Sequence, residues 1–175
     1  MSDNIPTFEN SGEDLNSSSK IPTFLKVLCI LSLVNIVFSI FPAITGVFQN
    51  PLDAQSALDD QIAQMEQIFS SIDEMPANFL NEMTTFLDAK KDNLRLENSG
   101  LILIFLLEAY GVWLMYKLKR KGYWLYVISQ FGMIALNYFI YPSSNIFTTA
   151  TIAMLLFSSI LFISLYGMNL KHMND

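Results

Sequence analysis

The stretch 122–170, GYWLYVISQFGMIALNYFIYPSSNIFTTATIAMLLFSSILFISLYGMNL, decides the fold. Its 49 residues include no Asp, Glu, Lys, Arg or His, and the turn-forming sequence YPSSN stands near its centre. An α-helix rises 1.5 Å per residue and a hydrocarbon core is about 30 Å thick, so each half is long enough to cross a membrane. We therefore predict two spans, 122–141 and 146–168, joined by a turn at 142–145.

Two more spans lie upstream of this stretch. Residues 27–52 carry no charge, and 98–116 is interrupted only by Glu108. A single charge does not exclude a span, because it can be carried inside a helical bundle. We predict an all-α membrane protein, an antiparallel bundle of four transmembrane helices. Its segments are a disordered tail 1–20, span 21–48, insert 49–97, span 98–116, turn 117–121, spans 122–141 and 146–168 with the turn 142–145, and tail 169–175.

Composition supports a membrane protein and excludes several function classes. Hydrophobic residues make up 52% of the 175 residues and charged residues 15%, against about 45–50% and about 25% in soluble domains. The net charge of −6 argues against nucleic-acid binding, which needs clustered positive charge. One Cys and one His leave no basis for a metal cluster or a nucleophile–base pair. We predict no enzyme, no catalytic residue, no cofactor and no metal.

The distribution of Lys and Arg predicts the orientation. With both termini in the cytoplasm, seven basic residues lie inside and three outside, which follows the positive-inside rule. The inside set is Lys20, Lys26, Lys117, Lys119, Arg120, Lys121 and Lys171, and the outside set is Lys90, Lys91 and Arg95. Tyr and Trp residues flank the basic turn as an interfacial belt: Tyr110, Trp113, Tyr116, Tyr123, Trp124 and Tyr126.

The insert 49–97 then lies outside the cytoplasm. Apolar residues recur there at spacings of three and four, which predicts two amphipathic helices separated by a break at Pro76. The first apolar stripe is Leu58, Ile62, Met65, Phe69 and Ile72. Eight acidic and no basic residues lie between Pro51 and Ala89, which predicts a solvated acidic face. We expect a helical hairpin that caps the bundle, with residues 53–97 available to other membrane proteins.

Four polar residues lie at matched depth in the four spans, eight or nine residues from the cytoplasmic end of each apolar stretch. They are Asn35, Glu108, Gln130 and Ser159. The counts start from Val27, Tyr116, Gly122 and Met168. Eight or nine residues correspond to about 12–14 Å, which is near the midplane. Facing one another, they form a candidate midplane cluster around a protonatable carboxyl. Such a cluster either holds the helices together through hydrogen bonds or is a functional site that exchanges a proton for a cation. Both interpretations stay open.

The turn Lys117-Leu118-Lys119-Arg120-Lys121 concentrates four of the ten basic residues. Near anionic lipid each contributes about 1 kcal/mol, so Lys117, Lys119, Arg120 and Lys121 are candidate headgroup contacts. The simpler interpretation is that they only set topology.

This basic turn, continued by GYWLYVISQ at 122–130, resembles a hairpin of small, uncharacterised four-span proteins of bacterial inner membranes. The resemblance covers residues 117–130 only and implies a bacterial inner membrane, without an activity. With four predicted spans and a single intramembrane Glu, the chain also resembles small multidrug transporters. It differs from them because Glu108 lies in the second span and no flanking motif matches.

We expect a non-enzymatic accessory or assembly subunit that contacts other proteins through its outer hairpin. The alternative is a small proton- or cation-coupled transporter with Glu108 as its protonatable site. The lipid bilayer is the expected partner in either case, and the sequence leaves a homo-oligomer open.

Overall fold

The computed structural model describes residues 21–70 and 77–174, and this part of the chain is all-helical. The helices are α1 (Thr23–Phe48), α2 (Pro51–Ser70), α3 (Ala77–Tyr116), α4 (Lys121–Ile140) and α5 (Ile146–Gly167), followed by a 3-10 turn at Leu170–His172. Four of them, α1, α3, α4 and α5, are long and apolar enough to cross a membrane. The predicted tail 1–20 and the predicted break at Pro76 lie outside the described residues.

Two asparagines cap the starts of helices. The Asn50 side chain accepts a hydrogen bond from the backbone N–H of Leu52 at 3.3 Å, and α2 begins at Pro51. Asn145 accepts from the backbone N–H groups of Phe147 and Thr148 at 2.8 and 3.3 Å. Side-chain oxygens at these positions satisfy N–H groups that have no partner within the helix. The turn between α4 and α5 therefore ends at Asn145, which is the N-cap residue of α5.

Helix α3 differs from the sequence-based division at residues 97 and 98. The second predicted helix of the insert and the second predicted span form one uninterrupted helix of 40 residues. At 1.5 Å per residue it is about 60 Å long, twice the thickness of a hydrocarbon core. The reason is that no proline lies between Ala77 and Tyr116. The change of composition near Asn98 marks a change of surroundings and does not end the helix.

Helix α3 is also the central element, since α1, α2, α4 and α5 all pack against it. The α3–α4 contact is close because two glycines meet there. A Cβ added to Gly122 would collide with the backbone carbonyl of Gly111 and lie 2.6 Å from the backbone nitrogen of Met115. Small residues at such crossings let helix backbones approach within a membrane.

The faces of α1 differ in size and exposure. Its bulky residues are exposed, as expected of a lipid-facing surface: Leu31, Val34, Phe38 and Phe41. Small and polar residues recur along another face of α1 at spacings of three and four. Among them, Ser32 and Ala43 are buried, Ser39 and Gly46 are half-buried, and Asn35 is exposed. Asn35 therefore presents an amide on a surface that otherwise suits lipid.

Aromatic rings connect the part of α3 before Asn98 to its neighbours. Phe79 contacts Phe69 of α2 and Phe147 of α5, with ring centroids 5.8 and 5.1 Å apart. Phe86 stacks on Tyr141 at 4.4 Å. The Glu82 carboxylate also accepts a hydrogen bond from the first backbone N–H of α5, at Ile146. The helix therefore stays packed beyond its apolar segment.

We predict that Gly122→Ala destabilises the protein by about 1–3 kcal/mol, because the added methyl group meets fixed backbone atoms. The measurement is the unfolding midpoint in detergent. Gly132→Ala on the same helix is the control, since its Cβ would lie 3.6 Å from the Ile104 side chain, an ordinary contact. Equal midpoints for the two variants would contradict the proposed backbone contact.

Candidate functional site

Glu108 is the only acidic or basic side chain that is buried among residues 21–70 and 77–174, with 6% exposure. It lies on α3, three residues before Gly111. The Gln130 side chain of α4 lies within hydrogen-bonding reach of the Glu108 carboxyl. Gln130 in turn accepts a hydrogen bond from the Ser159 hydroxyl of α5 at 3.0 Å. Three helices thus contribute one hydroxyl, one amide and one carboxyl to a continuous chain.

A cavity of about 420 Å³ opens beside this chain. Helices α1 and α5 form its two sides, and α3 and α4 form its floor, so we call it the α1–α5 cleft. Its lining residues are Leu31, Ser32, Asn35, Phe105, Glu108, Tyr126, Gln130, Met133, Leu155, Ser158 and Phe162. Glu108 is the only charged residue among these lining residues. The cleft is therefore a mostly apolar and aromatic chamber that also contains uncharged polar side chains, with one carboxyl in its floor.

The structure brings the predicted midplane residues together in two ways. Asn35, Glu108 and Gln130 all line the α1–α5 cleft. Ser159 lines a separate small cavity together with Gln130 and joins the others through its hydrogen bond. Asn35 is exposed at the edge of the cleft, so its part in the cluster stays a prediction.

Sequence reasoning missed a second polar chain at the end of the cleft nearest the basic turn. The Tyr166 hydroxyl donates a hydrogen bond to the Ser32 hydroxyl at 2.8 Å, and both residues are buried. The Cys29 thiol is also within hydrogen-bonding reach of Tyr166. The Tyr166 ring packs 4.9 Å from that of Tyr126. This contact links α1 to α5 and closes one end of the cleft.

Tyr126 also corrects the predicted aromatic belt. Tyr110, Trp113, Tyr116 and Trp124 are exposed as a belt requires, and Tyr123 is half-buried, but Tyr126 is only 3% exposed. It shares a helix face with Gly122 and Ser129, which are buried as well. Helical spacing could have indicated this, because residues three or four apart lie on one face.

The basic turn is exposed at all four predicted headgroup contacts, Lys117, Lys119, Arg120 and Lys121. The Lys117 ammonium lies 3.8 Å from the centre of the Trp113 ring, a cation–π distance. Their contact with lipid headgroups stays a prediction.

Near the middle of α3, the Glu97 carboxylate accepts a hydrogen bond from the Tyr141 hydroxyl at 2.9 Å. Burial, and then the negative charge and hydrogen bond of Glu97, raise the pKa of the Tyr141 phenol far above its ordinary value. Lys90 lies 4.0 Å from the same carboxylate oxygen. The phenol therefore stays protonated and donates at any physiological pH.

The acidic helix α2 packs on α3 through its apolar stripe. Leu58, Ile62, Met65 and Phe69 are half-buried, and Asp59 forms an ion pair with Lys91 of α3. No cluster of three or more metal-ligating side chains occurs within residues 21–70 and 77–174. The acidic face of α2 is thus exposed, whereas much of its apolar stripe is covered.

No family model matches this chain, and neither a curated protein nor a solved structure does. Functional argument therefore depends on the cleft and on the exposed surfaces themselves.

We predict a coupling of about 0.5–1.5 kcal/mol between Tyr166 and Ser32, the ordinary net contribution of a hydrogen bond. A double-mutant cycle with Tyr166→Phe and Ser32→Ala, measured by unfolding in detergent, gives this value. Tyr138→Phe is the control and should change stability little, because Tyr138 is exposed. Additive effects of the two cycle variants would show that the bond does not join α1 to α5.

Proposed function

We propose that this protein is a small membrane carrier that exchanges a proton for a lipophilic monovalent cation at Glu108. The observation that carries the proposal is a buried carboxyl in the floor of an otherwise uncharged cleft. Ionisable side chains within a membrane are costly and commonly mark ion and substrate pathways. The sequence favoured an interaction subunit, and we place the carrier first because the cleft gives Glu108 access to a ligand.

The chemistry of the lining selects the class of ligand. An ionised Glu108 attracts a cation, and the rings of Phe105, Tyr126 and Phe162 offer faces that bind cations. The remaining apolar side chains, such as Leu31 and Leu155, favour a ligand with an apolar body. The volume of about 420 Å³ lies within the range of small-molecule sites. Small inorganic cations lack apolar surface, so they gain nothing from contact with this lining.

Exchange at a single carboxyl couples the two ions by competition. With a proton on Glu108 the cleft is neutral, and with a cation bound to the carboxylate it is neutral again. Both occupied states avoid an uncompensated charge in the membrane, which is the costly state. The Ser159 hydroxyl donates to the Gln130 side-chain oxygen. The Gln130 amide nitrogen is therefore the group that can donate to the Glu108 carboxyl, which lies within its reach.

The membrane arrangement is part of the same proposal. We propose an antiparallel bundle of four spans in a bacterial inner membrane, with both termini cytoplasmic and with α2 and the first half of α3 outside as a hairpin. The excess of Lys and Arg at the predicted inner ends supports the orientation. The pairs Phe69–Phe79 and Asp59–Lys91 support the hairpin. The resemblance of 117–130 supports the compartment.

We predict that Glu108→Gln lowers proton-driven uptake of tetraphenylphosphonium into proteoliposomes at least tenfold, because the amide cannot release a proton or carry a negative charge. The folded yield should be unchanged, since Gln is nearly isosteric with Glu. The measurement is uptake of the cation with an imposed pH gradient, together with proton movement followed by a pH-sensitive dye.

Glu66→Gln is the matched control, because Glu66 is exposed on α2 and its substitution removes the same charge outside the cleft. It should transport like the unchanged protein. Full uptake by Glu108→Gln would refute the carrier. If that variant fails to fold, Asn35→Ala tests the cleft from an exposed lining position, and undiminished uptake there would count against it.

The second candidate is the accessory or assembly subunit that the sequence favoured, with residues 53–97 as its contact region. The supporting observation is that α2 and the first half of α3 are packed helices. Phe79 of α3 contacts Phe69 of α2 and Phe147 of α5. Because the apolar stripe of α2 packs on α3, the contact would use the exposed acidic face. Such a face favours a partner with a basic surface, through electrostatic complementarity.

We predict that a photocrosslinking residue at Ala63 captures a partner in intact membranes if this second function operates. Ala63 is exposed on α2, whereas Phe69 is half-buried against α3 and serves as the control position. Crosslinks only to lipid or to the chain itself from Ala63 would remove the interaction role. Equal capture from both positions would point to non-specific labelling.

A further inference from the structure

A second, larger cavity of about 860 Å³ lies at the basic end of the bundle, between α1 and the end of α3. Its apolar walls include Ile30 and Leu33 of α1 and Trp113 of α3, and Lys117 and Lys119 stand at its edge. We call it the basic-end groove. None of these residues lines the α1–α5 cleft, so the two cavities have separate walls.

The turn that carries these lysines is held in place by the end of the chain. Leu118 is buried and adopts φ 58°, a left-handed conformation that costs free energy for a residue with a side chain. Its carbonyl accepts a hydrogen bond from the Asn174 N–H at 2.7 Å, and the Arg120 N–H donates to the Asn174 carbonyl at 2.8 Å. Met173 is buried beside them. Lys117 and Lys119 therefore project from a fixed backbone.

We infer that the basic-end groove binds an anionic phospholipid, with an acyl chain along Ile30, Leu33 and Trp113 and the phosphate between Lys117 and Lys119. The inference goes beyond the proposed carrier and does not depend on it. An apolar groove that ends at two cations matches a ligand with a hydrocarbon chain attached to an anion. Stacking on Trp113 orients the Lys117 ammonium without consuming its hydrogen-bond donors.

A second copy of this chain fits the same groove less well. A symmetric dimer through the groove would bring two identical basic turns together, because such an interface pairs the same surface patch on both subunits. Like charges at close range oppose that contact. The phospholipid satisfies both the apolar wall and the lysines.

The chain's two tryptophans make a direct test possible. Trp113 lines the groove, and Trp124 is exposed on α4 near the same basic turn. In Trp124→Phe, Trp113 is the only tryptophan that can report. The protein is reconstituted in phosphatidylcholine vesicles with increasing fractions of phosphatidylglycerol, with bromine on the acyl chains of one lipid or the other. Brominated chains quench a tryptophan that they touch.

We expect brominated phosphatidylglycerol to quench Trp113 with a preference over phosphatidylcholine of roughly fivefold for each contributing lysine. Trp113→Phe, in which Trp124 reports, measures the general enrichment of anionic lipid around the turn and should show a smaller preference. Lys119→Gln should lower the Trp113 preference severalfold. Lys121→Gln, which removes an exposed charge outside the groove, should leave it unchanged.

Three results would overturn the inference. Equal quenching of Trp113 by both lipids would show that the groove does not select charge. Equal preference at Trp113 and Trp124 would show general electrostatic enrichment only. Absence of quenching at Trp113 by either lipid would show that a second copy or another part of the chain fills the groove.

Discussion

Gly122 of α4 lies against the backbone of Gly111 in α3, and the remaining contacts depend on how closely these two helices approach. Glu108 is one turn from Gly111 on α3, and Gln130 is about two turns from Gly122 on α4. A close crossing at the glycines keeps the helices near enough for the amide to reach the carboxyl. Ser159 of α5 then joins from the other side of Gln130. The polar chain in the bundle is thus a consequence of backbone contact.

The polar chain and the α1–α5 cleft both bear on how the buried Glu108 carboxyl is stabilised. A buried carboxyl requires a hydrogen-bond donor or a counter-ion, since hydrocarbon supplies neither. Gln130 meets part of that need, and in the proposed carrier the open cleft lets a proton or a cation meet the rest. The Tyr166–Ser32 bond closes the cleft at one end only, so α1 and α5 frame the site without sealing it.

Matched depth was predictable for α3 and α4 because a short turn connects them, so that equal distances along the chain are equal heights. That argument placed Glu108 beside Gln130 from sequence alone. Depth does not specify which way a side chain points around its helix, and so Asn35 proved exposed and Tyr126 buried. The Tyr166–Ser32 bond joins residues 134 positions apart and needs the helices to be placed first. The unbroken α3 is not evident from the sequence, because polar residues near Asn98 resemble a helix boundary. A helix continues wherever its backbone hydrogen bonds are satisfied.

Helix α3 has a mechanical consequence, because a 40-residue helix without proline behaves as one stiff rod. Glu82, which holds the start of α5, and Glu108 are separated by about 39 Å along that rod. A force that tilts one end of the rod acts as on a lever arm, and the other arm carries the floor of the cleft that contains Glu108. Pressure on the acidic face of α2, which packs on α3, would in this way change the width of the α1–α5 cleft.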